Sequence, residues 1–550
     1  MPNEPRIQTR DLLLTAPEAQ YRASQEATAR AITPSSVTTT TFVGATLTST
    51  CIGNYVVPLD GDARGQVRQV KSFVLGTTTA TIDAAWTSGT NVTTLALWQP
   101  AEVPVRSTAT ATTTTVTSSA HQSITNEPDS FPTNRGMFLV GKGGTNAGGA
   151  YQVASFLSST GTFTTTPTMA AAGGDGALYL LRSLLRPEAP ATATMTHKVV
   201  QRRIVGLKAA DAAVPVTTES TLEIILPQRP LTASAGNATA AVPPQEMGGL
   251  LGDHMTETLD TGSTVSSSTA TTVVAASGAG FSIGGFGLLA TGEAFQVLNK
   301  STNTLTVQNG VITTGSVAAA STIYASAWYS FKTTDFRTRT FDFYRGGLYR
   351  QVFHGCMPTI ELDVARDQVI KFLMKYVAAE GIEYNITNPI TSASFPVPLL
   401  DTTVPVDGKG ARLCIDGTQV ICGDLKVMFG LKPIPRPSLN AFNQMDGMAM
   451  DVEPVSMSFT ALADNDDLAS FKDLVDRLHA GDVVNFLYQK GGNPKETFCI
   501  GAPALQLTKA VFTYNGGQGE FALDGQAIHP QAVRGNSFAA TLPSFNVGWM

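Results

Sequence analysis

The feature that most constrains this chain is a module repeated at fixed spacing. Gln69-Val70-Lys71-Ser72-Phe73 and Gln152-Val153-Ala154-Ser155-Phe156 each precede a turn and a Thr-rich strand. The first module closes on Leu95-Ala96-Leu97-Trp98 and the second on Leu178-Tyr179-Leu180-Leu181, so that Val70 to Leu97 and Val153 to Leu180 are both 27 positions. A weaker third copy runs from about Ser263, with Gln296-Val297-Leu298 and a closing strand near Tyr324-Ala325-Ser326-Ala327-Trp328. Self-similarity of this kind marks repeated supersecondary units, and each is of the size of a minimal β barrel or sandwich. Thr and Val carry two heavy atoms on Cβ, which suits a pleated strand better than a helix. The fold is therefore expected to be mainly β.

At 550 residues the chain has room for three or four units. Residues 1–36 read as an N-terminal arm in which Pro17 to Ile32, rich in Ala, Glu, Gln and Arg, form a short helix. Small β modules follow at 37–105 and 106–185, and a third at 262–330 is inserted into a frame formed by 186–261 and 331–400. Residues 401–550 form a second frame unit. In the first, Thr221 to Leu226 is a strand and Glu246 to Leu259 reads as a helix. In the second, Val455, Met457, Phe459 and Ala461 alternate with Ser456, Ser458 and Thr460, the pattern of a strand with one wet face. Leu468, Phe471, Leu474, Val475 and Leu478 then recur at helical spacing, with Asp464-Asn465-Asp466-Asp467 before them and Gly481 after. Asn515-Gly516-Gly517 separates two further strands.

The two frame units look like copies of each other. Phe341 to Gly347 can be laid over Asn485 to Gly492 with one gap, and Pro358 and Pro503 each follow their Gly pair by 11 positions. Ile360 and Leu362 then match Leu505 and Leu507. Gly346, Gly347, Gly491 and Gly492, with Pro358 and Pro503, are expected to serve structural turns. The expected fold is thus tandem β-sandwich or barrel units, each with one helix, plus about three small Thr-rich β modules.

Charge and motifs exclude several functions. Lys+Arg 37 against Asp+Glu 43 gives a net charge of −6, which does not suit a surface that grips nucleic acid by counterion release. The six histidines show no HExxH or HxH spacing, and Gly141-Lys142-Gly143-Gly144 has the composition but not the spacing of a phosphate loop. Asp60-Gly61-Asp62 and the Asp464–Asp467 cluster lack the ligand spacing of a calcium loop. There is no Gly-x-Ser-x-Gly elbow and no paired-carboxylate site, so neither catalysis nor a metal or cofactor is expected. Five cysteines without a CxxC pair read as buried free thiols. A hairpin turning at Asp416-Gly417 would place Cys414 opposite Gln419 and Cys422 opposite Ala411. No signal-peptide pattern and no run of eighteen apolar residues is present, which leads to the expectation of a protein folded in a cytoplasm with no membrane partner.

From Phe341 to Ile528 the sequence resembles the tail tube proteins of long-tailed bacteriophages. The features that carry this are FDFYRGGLYRQVF, HGCMPTIELDV, the RLCIDGTQV hairpin, the long strand GDLKVMFGLKP, VEPVSMSFTAL, the helix DDLASFKDLVDRLHAG and the closing pair ALQLTKAVFTYNGGQGEFALDGQAI, in that order. GGLLGDHM resembles the family's leucine-rich helix. The resemblance implies a structural subunit of the virion tail, assembled in the bacterial host cytoplasm. Its rings close through inner strands into a continuous β-barrel and stack into a hollow conduit for genome delivery. DNA would pass through the lumen without specific binding, other tail proteins would meet the tube ends, and the Thr-rich modules would decorate the outside. A duplicated frame makes a trimer with pseudo-sixfold symmetry the expectation, with a plain hexamer as the alternative. In Thr359 to Val364, Ile360, Leu362 and Val364 share one face, and Thr359, Glu361 and Asp363 the other. Glu361 and Asp363 then face either the lumen or an ordinary solvated surface. Two other roles compete: a distal-tail or hub ring protein, and a β-rich receptor- or glycan-binding tail protein.

Overall fold

The computed structural model describes residues 12–17, 30–44, 55–58, 62, 68–98, 102–104, 114–117, 137–141, 150–169, 178–200, 214–231, 245–308, 312–385, 411–463 and 472–550, with short interruptions inside several of these stretches. The protein is mainly β. Among the described residues no helix is long and apolar enough to cross a membrane.

The frame is built from β1 (Thr192–Val200), β2 (Val214–Pro227), helix α1 (Gln245–Gly252), β3 (Tyr349–Val364), β4 (Lys371–Ala378), β5 (Cys422–Met428), β6 (Leu431–Pro437), β7 (Met445–Val452), β8 (Ser456–Ala463), β9 (Val483–Lys490), β10 (Phe498–Asn515) and β11 (Gln518–Ala527). Eight of these strands lie side by side in the order β1-β2-β4-β3-β5-β8-β11-β10, each antiparallel to its neighbour. Each half of this run has the same internal order: first, second, fourth and third strand in the sequence. The halves meet where Glu361 to Val364 of β3 pair with Leu425 to Met428 of β5.

Strands β3 and β10 are long because each serves two layers. The first part of β3 pairs with Arg339–Arg345 and with Glu380–Asn385, and the second part pairs with β4 and β5. The first part of β10 pairs with β9 and with Asn546–Trp549, and the second part pairs with β11. Apolar side chains from both layers, among them Ile224, Leu362, Phe372, Phe459, Leu523 and Trp549, form one core. Phe372 and Trp549 stack at 6.3 Å within it.

The three Thr-rich modules share their construction. Strand Ser263–Ser268 opens a closed six-stranded barrel in which Thr322–Ala325, Phe286–Leu289, Ala294–Ser301, Thr304–Val307 and Thr272–Ala275 follow in spatial order. In the first module Leu95–Trp98, Tyr55–Pro58, Arg68–Val74, Thr79–Ile82 and Thr41–Val43 neighbour one another in the same order. In the second the order is Leu178–Leu185, Met137–Gly141, Ala150–Leu157, Thr162–Thr166 and Thr115–Thr117. A β-bulge follows the repeated Gln-Val in each, between Val70 and Ser72, Val153 and Ser155, and Val297 and Asn299. The residue opposite each Val bonds back to a turn Thr: Ile82 N–H to Thr40, Thr165 N–H to Thr114 and Val307 N–H to Thr271, at 3.0, 2.8 and 2.9 Å.

Several expectations need correction. Pro17 ends the strand Leu12–Pro17 and Arg30–Ile32 is also a strand, so Pro17–Ile32 is not one helix; residues 18–29 lie outside the described set. Leu12–Pro17 is held between Leu178–Leu185 and Arg339–Arg345, a long-range pairing that overrides local helix propensity. The helix read from Glu246 to Leu259 stops at Gly252, and Met255–Leu259 is a strand paired with Ala327–Phe331. Ala327–Phe331 belongs to the frame, where it also pairs with Asn546–Trp549, so the inserted barrel closes at Ala325. GDLKVMFGLKP is two strands broken at Gly430, which has a φ of +67°.

Pro358 and Pro503 are not turn residues. Pro358 sits inside β3, where the flank opposite β4 changes from Arg339–Arg345 to β5. Pro503 sits inside β10 at the bulge against β9, between residues paired to Phe486 and Val484. Both are places where a strand tolerates a missing N–H. Their equal spacing from the Gly pairs does not carry into register, because Phe341 faces Phe353 whereas Phe486 faces Ala502. Gly491 does take a left-handed turn, with a φ of +80°, and Gly492 follows it; Gly346 and Gly347 lie outside the described residues.

Candidate functional site

The broad face of the eight-stranded run is chemically patterned. In β3, Ile360, Leu362 and Val364 are buried, while Thr359 is exposed and Glu361 and Asp363 are half-exposed on the opposite face. The alternation follows from the two-residue period of a strand. Asp363 stands between Lys371 of β4 and Lys426 of β5. The row continues through Ser458 of β8 and Asp524 of β11 to Lys509 of β10. Lys509 pairs with Asp524 at 3.6 Å, and Lys371 also reaches Glu188 at 3.3 Å.

The neighbouring row holds Leu373, Glu361, Met428, Ser456, Gln526 and Gln506. A third places Glu223 opposite Lys375, and Lys375 opposite Thr359. Charges of both signs therefore alternate across strands, supplied by both halves of the run. Exposed ion pairs contribute only about 0.2–1 kcal/mol each, so these add little to stability. The face presents a wet, charge-interleaved wall with no concentration of cations.

Both ends of this wall are open among the described residues. β1 pairs only with β2. β10 loses its partner β9 at Gln506, and from Leu507 to Asn515 it is paired on the β11 side alone. Val511 and Phe512 on this stretch are 38% and 44% exposed. Seven antiparallel steps separate the two ends, so β1 and β10 run in opposite directions.

Other polar clusters are structural. Arg339 binds Asp253 in the core, and Lys332 donates to the Gly252 carbonyl at the end of α1. His254 beside them is fully buried, and neither ring nitrogen has a hydrogen-bond partner. Burial, then the charges of Arg339 and Lys332, hold its pKa down at about 3. Cys356, Cys414 and Cys499 are buried free thiols, and burial pushes Cys414 and Cys499 up, away from the reactive thiolate. The Asp416-Gly417 hairpin sets Cys414 opposite Gln419, whereas Cys422 lies on β5 opposite Ala461 rather than Ala411. Among the described residues no three His, Cys, Asp or Glu gather to hold a metal. A cavity of about 360 Å³ on the third barrel is lined by Thr261 to Thr264, Ser277, Ala279 and Gly280, which offer hydroxyls and backbone but no titratable group.

Sequence reasoning located the β3 alternation, but it could not find the cross-strand rows or the open ends, since both depend on which strands become neighbours. The Thr-x-Thr-Thr pattern at 38–41, 112–115 and 269–272 was a signal within the sequence for the shared module, and the Gln-Val repeat alone pointed to it less sharply. The sequence matches no known protein family and no curated protein.

Proposed function

We propose that the chain is a structural subunit of a bacteriophage tail tube, two tail-tube-type units in tandem, that assembles as stacked rings into a hollow conduit for genome delivery. The observation that carries this reading is the repeated four-strand order with open, oppositely directed ends. Within the chain, the last strand of the first half (β3) pairs antiparallel with the first strand of the second half (β5). The same geometry between chains sets β10 of one copy against β1 of the next, and removes both open edges. Such a head-to-tail contact closes into a ring when its rotation divides a full turn.

Three chains of eight strands supply 24 strands, and barrels of 16–18 strands already leave an aqueous channel. Six four-strand groups then surround the lumen with threefold exact and sixfold approximate symmetry. The charge-interleaved wall, with Glu361 and Asp363, faces inward. Its lack of clustered cations lets a polyanion pass without being held. The three Thr-rich modules lie outside this wall, and other tail proteins cap the tube ends.

Negative-stain electron microscopy of the purified chain tests the reading. Stacked tubes with an axial channel and three chains per ring are the expected result. Rings that never stack would favour a distal-tail or hub role, and six chains per ring would replace the trimer. Stable monomers would overturn the assembly and turn attention to the hydroxyl-lined cavity of the third barrel as a glycan site.

A further inference from the structure

Strands β6 and β7 form a two-stranded ribbon that, among the described residues, pairs with no strand of the larger sheets. Its register sets Leu431 opposite Val452, Pro433 opposite Met450 and Pro435 opposite Met448. The Glu453 N–H donates to the Gly430 carbonyl at 2.8 Å, so residues 430 and 453 are a hydrogen-bonded pair. Hydrogen-bonded and non-hydrogen-bonded pairs alternate along an antiparallel ladder. Pairs 432/451 and 434/449 are thus bonded, and 433/450 and 435/448 are not. The backbone nitrogens of residues 433 and 435 consequently point away from β7, toward the outer edge of β6. Both residues are proline, which has no N–H to offer there.

β6 is the more exposed strand of the ribbon from Ile434 to Arg436. Met448 of β7 is buried against Met357 and Ala379, whereas Pro435 opposite it is exposed. Ile434 and Val452 are 43% and 41% exposed. An apolar ribbon with a free, donor-bearing edge recruits strands from other chains. β10 is built otherwise: from Leu507 to Asn515 its open edge contains no proline and carries Val511 and Phe512.

We infer that Pro433 and Pro435 close the β6 edge to strand addition, so that a second copy of the chain adds at β10 and not at the ribbon. The choice of β10 as the productive edge rests on the tube reading; the closing of β6 rests on the ribbon register alone. Prolines at every second position strip the outward donors while leaving every β6–β7 hydrogen bond in place, since none of those bonds uses their nitrogens.

The test uses the full-length chain and two variants, Pro433→Thr/Pro435→Thr and Pro433→Ala/Pro435→Ala. Both restore the outward N–H groups, the second without adding β-branched side chains. Sedimentation and thioflavin T fluorescence are followed as concentration is raised, and a melting curve establishes that each variant is folded. A several-fold rise in thioflavin-positive, irregular aggregate in both variants over wild type is expected. Folded variants that aggregate no more than wild type overturn the inference. If wild type forms no rings at all the tube reading fails separately, and the comparison of aggregate between variants and wild type still decides whether the β6 edge is closed.

Discussion

The side-chain amide of Gln489, on β9, closes on the turn of a barrel inserted almost two hundred residues earlier. Its Oε1 accepts from the Ala294 N–H at 2.9 Å, and its Nε2 donates to the Gly292 carbonyl at 2.6 Å and the Gly491 carbonyl at 2.7 Å. Gln308 Nε2 donates to the Phe486 carbonyl, Asn546 Nδ2 donates to the Gly284 carbonyl, and Arg412 faces Glu293 at 3.9 Å. The barrel and frame also share one apolar core. The third barrel is therefore fixed on the frame, not tethered to it. Replacing Gln489→Leu keeps the volume and strands these buried partners, which costs about 1–3 kcal/mol. Urea unfolding should show this loss in a single transition that includes the barrel.

The break between β5 and β6 should be equally sensitive. Gly430 has a φ of +67°, and a Cβ there would lie 2.1 Å from the Glu453 carbonyl oxygen. Gly481 has a φ of +70° but open space around the same atom. Left-handed backbone alone costs an L-residue about 1–2 kcal/mol. Gly481→Ala should lose about that much, and Gly430→Ala measurably more, because backbone must move to admit the methyl group. Equal losses in thermal denaturation would show that the backbone contact at Gly430 relaxes freely.

What the sequence disclosed was what local chemistry decides. The alternation from Thr359 to Val364, the Asp416-Gly417 hairpin and the Gln-Val modules follow from a two-residue period and from turn residues. What it concealed was pairing between distant segments. Met255–Leu259 reads as the end of a helix until Ala327–Phe331, beyond a whole barrel, supplies its partner. Leu12–Pro17 is a strand because Leu184 and Asp342 both flank Leu14. The charged rows were hidden for the same reason: Asp363 and Lys426 are far apart in sequence and adjacent only once β3 meets β5.

His254 predicts acid sensitivity with a definite sign. Its folded pKa is about 3, below the ordinary value of 6.5, because burial and the nearby Arg339 and Lys332 disfavour the imidazolium. Between those values the unfolded chain binds a proton that the folded chain refuses, so stability is full above about pH 6.5 and falls as the pH drops toward 3. The slope from this one group approaches about 1.4 kcal/mol per pH unit. His254→Leu removes the titration and two unpartnered buried nitrogens. Denaturation between pH 7 and pH 4 should show a shallower loss in the variant; parallel curves would assign the acid response to other groups.

Under the proposed tube assembly, the row through Asp363 gives a prediction about transit. Asp363 lies opposite Lys371 on one side and Lys426 on the other, so Asp363→Lys places three cations side by side on the wall. Like charges directly opposite each other destabilise a sheet by about 0.2–1 kcal/mol per pair, too little to unfold the chain. Three chains per ring and many stacked rings would multiply the new cations along the lumen, however. Each one that meets a phosphate releases a counterion, and retention then falls steeply with salt. Tubes of the variant should hold linear DNA at low ionic strength and release it as salt is raised, while wild-type tubes hold none at either. Asp424→Lys, on the same face but at the exposed far end of β5, should act in the same direction if this face lines the channel. Variant tubes that ignore DNA at low salt would mean that the face carrying Asp363 points away from the lumen.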